Sequence, residues 1–86
     1  MIFSIEFSEE ADSDFGFLLR SDRKLARRIL AKIESLAAYP YEGNPLVGNH
    51  KGEFSLRIGS YRVVYELDNA KQVVYILTIK HRKHVY

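Results

Sequence analysis

Two arginines flank a glycine–serine pair in the stretch LRIGSYRVVYEL, residues 56–67. A guanidinium stays charged at any working pH, and its fork of donors matches the oxygens of a phosphate. Apolar residues alternate on both sides of Gly59-Ser60, which reads as a two-residue hairpin link favouring positive φ at its first position. The same alternation sends Arg57 and Arg62 to the face opposite Leu56, Ile58 and Tyr61. Two guanidiniums side by side repel unless an anion lies between them. The plainer alternative is a solvated strand surface on which Glu66 pairs with Arg62.

Two further clusters carry usable chemistry. The tail KHRKHVY places Lys80, His81, Arg82, Lys83 and His84 ahead of Val85 and Tyr86. Histidine exchanges a proton near neutrality, and arginine stabilises charge developing on a phosphorane. A tyrosine ring stacks on an unpaired base. The alternative is a frayed basic terminus. At HKGEF, His50, Lys51 and Glu53 offer a base or a phosphate contact, or merely a polar strand entry. Lys51, Lys80 and Lys83 join Arg57 as candidate substrate contacts. No metal site is expected, because His81 and His84 lie beyond a strand with no carboxylate near them in sequence. No P-loop, nucleophile elbow or cysteine is present. The basic run from Arg20 to Lys32 reads as a solvated helix face.

These residues need a frame. IFSIEF alternates as a strand, with Phe3, Ile5 and Phe7 on one face. Ser8 offers an N-cap, and the acids after it complement a helix dipole. Ala11, Phe15 and Leu18 form that helix's apolar stripe. Ser21 or Asp22 caps a second helix, whose stripe is Leu25, Ile29, Ile33 and Leu36. Pro40 ends it, and residues 39–50 form a loop. Strands follow over 53–58 and 61–67. Residues 72–79 are apolar almost throughout, as expected of a central strand buried on both faces. The order β-α-α-β-β-β predicts an α+β domain, a two-helix hairpin packed on a small, mostly antiparallel four-stranded sheet.

At 86 residues, one domain spanning 1–86 is expected. The absence of cysteine excludes disulfides and thiolate zinc sites and fits a reducing cytosol. No apolar run approaches the roughly 18 residues of a membrane span, and MIFSIEF lacks the basic n-region of a signal peptide. A cytoplasmic, soluble protein with no membrane partner is expected. Net charge is +2, but residues 1–49 carry six basic against eight acidic residues, and residues 50–86 carry seven against three. The strand-rich half is therefore the basic one, which fits either a polyanion partner or a solvated surface.

Gly52, then Arg57-Ile58-Gly59-Ser60-Tyr61-Arg62-Val63-Val64-Tyr65, then His81-Arg82-Lys83-His84-Val85-Tyr86 closely resemble the RelE/ParE superfamily of toxin–antitoxin toxins. The likeness spans essentially the whole chain and implies the RelE-like, microbial-ribonuclease-type fold. It implies a metal-independent, cofactor-free endoribonuclease that cuts mRNA in the ribosomal A site. The ribose 2′-hydroxyl attacks the adjacent phosphate and leaves a cyclic phosphate and a free 5′-hydroxyl. By motif position, Arg62 binds the scissile phosphate, and Arg82 stabilises charge or assists the leaving oxygen. Tyr86 stacks on or orients the substrate, and Arg57 contacts a neighbouring phosphate. His81 or His84 is the general acid. Some members carry lysines on the first hairpin strand, one acting as base; Glu53 and Ser55 stand there in this chain, and Glu53 is the candidate base. The ParE branch, which inhibits DNA gyrase and does not need this catalytic set, is the alternative. An inactive homologue that only binds antitoxin is a third. The implied partners are mRNA on the ribosome and an acidic, RelB-like antitoxin, in a heterotetramer or higher assembly.

Overall fold

Capping side chains decide where the helices begin. Ser8 is extended, and its hydroxyl oxygen accepts the Ala11 amide at 2.9 Å, so α1 runs Glu9–Ser21. Asp22 accepts the Leu25 amide at 3.1 Å and opens α2, Arg23–Ser35. The Ser21 hydroxyl donates instead to the Phe17 carbonyl. The structure is a computed structural model that describes residues 2–48 and 52–84, the side chain of His84 excepted. Among the described residues no helix is long and apolar enough to cross a membrane.

The strands are β1 (Ser4–Phe7), β2 (Asn44–Pro45), β3 (Glu53–Ile58), β4 (Tyr61–Asp68) and β5 (Val73–His81). They form one sheet in the order β1-β5-β4-β3-β2. Strand β1 runs parallel to β5, and the other pairs are antiparallel. The α+β class is as expected, but among the described residues the sheet has five strands and not four. The extra strand, β2, lies in the 39–50 loop, where Asn44 and Pro45 pair with Ser55 and Phe54. Two residues show no periodicity, and a proline cannot donate to a ladder, so tertiary pairing alone creates this edge strand.

Both helices cover one face of the sheet. Leu18, Ala26, Ile29, Ile33 and Leu36 meet Leu56, Val63, Tyr65, Val74, Ile76 and Ile79 in a single core. Each Leu, Ile or Val among them contributes about 1.5–3 kcal/mol on burial. Among the described residues no helix covers the other face. Strand β5 is therefore not buried on both faces: Val74, Ile76 and Ile79 are buried, and the residues between them are half-buried.

Strand β5 also carries a bulge. Val64 lies opposite Thr78 and Tyr65 opposite Ile76, which leaves Leu77 as the extra residue. A one-residue insertion exchanges faces for everything after it. Ile79 and His81 thus turn toward the helices, and Lys80 turns away from them.

Candidate functional site

The hairpin bearing the arginines closes as its sequence requires, with Gly59 at φ +59°. Register places Arg57 opposite Arg62, and Arg62 opposite Lys80. Three cationic side chains therefore stem from one row across β3, β4 and β5, on the face without helices. Directly opposed residues on such ladders are about 4.5–5.5 Å apart. Arg57 is exposed and Arg62 is half-buried. The Arg62 Nε is shielded from solvent and finds no hydrogen-bond partner among the described residues. Within those residues no carboxylate pairs with Arg57 or Arg62. Glu66 shares their face but stands opposite Glu53 and Tyr75, two rows from Arg62, so the expected alternative pairing does not form. A buried donor left unsatisfied costs about 1–3 kcal/mol, more when charged. An anion on this row would satisfy it and offset the repulsion.

Lys80 differs from its two neighbours. Its ammonium reaches over the edge of β5 to α1, 2.7 Å from Asp14 Oδ1 and 3.1 Å from Glu10 Oε2. The other Asp14 oxygen accepts the Ile79 amide at 3.0 Å. The hydrogen bond to Asp14 holds the Lys80 pKa above its ordinary value, with smaller support from Glu10 and against the effect of burial. Strand β1 ends at Phe7, so beyond it β5 has no strand on that side among the described residues. The α1 side chains replace one: the Ser8 hydroxyl donates to the Leu77 carbonyl at 2.7 Å, and Asp14 takes the next free amide. Sequence reasoning missed this role for Glu10 and Asp14. Their i, i+4 spacing was the available signal, but acids in the first turns of a helix read equally well as complements to its dipole.

The tail departs from β5 beside the hairpin turn. The Arg82 amide donates to the Ser60 carbonyl at 2.8 Å, which docks a short 3₁₀ turn, Arg82–His84, against the β3–β4 link. Arg82 and Lys83 are exposed. The structure does not bring His81 to the arginines. It lies opposite Tyr61 on the helix-facing side, ring edge to ring face at 5.4 Å. Its Nδ1 accepts the Lys83 amide at 3.2 Å. His81 there lines a groove of about 520 Å³ with Asp14, Phe17 and Tyr61. The Leu77 bulge is the reason: without it His81 would face the arginine side.

Glu53 is on the arginine face but not beside the arginines. It lies four residues before Arg57 on β3, about 13 Å along the strand, with the Ser55–Val64–Thr78 row between them. Its own row is acidic: Glu53 is opposite Glu66, then come Tyr75 and Glu6. The open face is thus cationic at the hairpin end and anionic at the other. His50, Lys51, Val85, Tyr86 and the His84 side chain lie outside the described residues.

The chain matches the family described as "ParE toxin of type II toxin-antitoxin system, parDE" over residues 5–86. It is 40% identical over 67 residues to Toxin RelK of Mycobacterium tuberculosis, a match covering 72% of this chain and 79% of that protein. It is 33% identical over 92 aligned positions to Toxin RelG of the same organism, covering 100% of this chain and 98% of that one. Its fold is similar to a chain of the toxin–antitoxin complex RelBE2 from M. tuberculosis, with TM-score 0.85, 27% identity, and coverage of 95% and 93%. The YoeB/ParE toxin from Agrobacterium tumefaciens has the same fold, with TM-score 0.82, 21% identity, and coverage of 92% and 98%.

Proposed function

Because this chain belongs to the RelE/ParE superfamily of type II toxin–antitoxin toxins, we propose that it is a ribosome-dependent endoribonuclease that cleaves mRNA without a metal ion. The observation that carries this reading is the Arg57–Arg62 pair, opposed across the hairpin, without a counter-ion among the described residues and with the Arg62 Nε unpartnered. In this reading Arg62 holds the scissile phosphate and Arg57 the next one along the strand. Arg82, tied by its amide to Ser60, offsets negative charge as the phosphorane forms. The ribose 2′-oxygen bonds to the adjacent phosphorus as it gives up its proton, the bond from phosphorus to the 5′-oxygen breaks, and the 5′-oxygen takes up a proton as it leaves. The products are a cyclic phosphate and a free 5′-hydroxyl. Ordering the 2′-hydroxyl in line with the phosphate supplies much of the acceleration for such a step.

The partner in this reading is an acidic antitoxin that covers the cationic face. Some solved relatives are toxin–antitoxin complexes, one of them the heterotetrameric YoeB-YefM complex from Staphylococcus aureus. A heterotetramer or larger assembly is the corresponding expectation here.

One observation favours a second reading. Glu53, the candidate base, is two rows from Arg62, and a general base must reach the proton it removes. A ParE-like gyrase inhibitor would use the same face for binding alone. Expression without antitoxin separates the two. Growth arrest with cuts inside translated codons supports the ribonuclease. Arrest with intact mRNA and trapped gyrase cleavage complexes supports the inhibitor. Absence of arrest identifies an inactive, antitoxin-binding homologue.

A further inference from the structure

We propose that Asp14 and Glu10 set the strength of the anion site by holding Lys80 out of it, so that the sheet offers a phosphodiester strand two cations and not three. The inference rests on the reading of the open face as a polyanion site. Register gives Arg57, Arg62 and Lys80 one row. The first two have no carboxylate partner among the described residues; Lys80 has two. Nothing in the strand pairing demands that difference. It arises because α1 starts directly after β1 and carries carboxylates four residues apart along the open edge of β5.

Asp14 is well suited to the task. One carboxylate oxygen is fixed by the Ile79 amide, so the other is presented to Lys80 in a set place. Asp14 is mostly buried and Glu10 is exposed. The buried acid therefore supplies the firm contact, and the exposed one a weaker second contact. Releasing Lys80 adds a third charge to a row already holding two, which tightens binding to any single-stranded polyanion and makes it less selective. Asp14 is thus a positioning residue that acts through Lys80.

The test is the salt dependence of binding of a short single-stranded RNA to the full chain, read by fluorescence anisotropy. Asp14→Asn keeps an oxygen acceptor for the Ile79 amide and removes the charge. The expected result is a log–log salt slope steeper by about 0.7, the increment of one more phosphate contact on a single strand, with several-fold tighter binding at low salt. Asp14→Asn combined with Lys80→Met returns the slope to that of the parent, and Lys80→Met alone leaves it there. Glu10→Gln, at an exposed position, gives a smaller step in the same direction and keeps the test valid if Asp14→Asn does not fold. Unchanged slopes in both acid variants, with a lowered slope in Arg62→Ala, overturn the inference. An unchanged slope in Arg62→Ala overturns the polyanion reading itself.

Discussion

Arg57 and Arg62 are direct cross-strand neighbours on the open face of the sheet, and among the described residues neither has a carboxylate partner. Like charges so placed destabilise a ladder, by about 0.2–1 kcal/mol. A pair that only decorated the surface would be a liability without a return. A pair that grips phosphate exchanges some stability for binding.

That exchange is measurable. Arg57→Gln is expected to raise the melting temperature by a few degrees, the shift that a gain of about 0.5 kcal/mol gives in a domain of this size. The same variant should bind single-stranded RNA more weakly. Thermal melts and anisotropy on one preparation check both signs.

Tyr65 anchors the segment that carries β2. Its buried hydroxyl donates to the Pro40 carbonyl and accepts the Gly43 amide, both at 2.9 Å. Its ring stacks on Phe54 at 5.4 Å. Tyr65→Phe keeps the ring and strands the Gly43 amide, so stability should fall by about 1–3 kcal/mol. Urea unfolding measures the loss, which should leave RNA binding unchanged because Tyr65 lies on the helix-facing side.

Alkaline pH should weaken the fold through two groups. Burial raises the Tyr65 pKa above its ordinary 10.0, and the Asp14 hydrogen bond raises that of Lys80 above 10.5. In both cases the folded state binds protons more tightly than the unfolded chain. Their stabilisation is complete below the unfolded values and is lost as pH rises from those values through the folded ones. Urea midpoints should hold steady near neutrality and fall above about pH 10. Tyr65→Phe and Lys80→Met should each flatten part of that decline.

The hairpin could be read from sequence because two short-range signals agree there. Alternation fixed which residues share a face, and Gly59 fixed the turn, so the pairing of Arg57 with Arg62 followed. The α2 stripe of Leu25, Ile29, Ile33 and Leu36 was legible for the same reason. Strand β2 was not, because Asn44 and Pro45 become a strand only by meeting Ser55 and Phe54. The face of His81 was not legible either. Residues 72–79 are apolar almost without interruption, so nothing in them marks Leu77 as a bulge. That one residue decides whether Lys80 or His81 joins the arginine side. The clamp of Asp14 on Ile79 and Lys80 depends on where β1 ends relative to β5, a tertiary fact that composition and spacing do not contain.

Primer extension on mRNA from purified translating ribosomes, mixed with the full chain or its Arg62→Ala variant, decides whether the arginine face cleaves RNA. Cuts within codons are expected for the parent, and a rate lower by about 10²–10³-fold for the variant, the usual cost of removing one donor that stabilises developing charge. Intact mRNA with the parent, or equal cutting by both proteins, would rule out cleavage at Arg62.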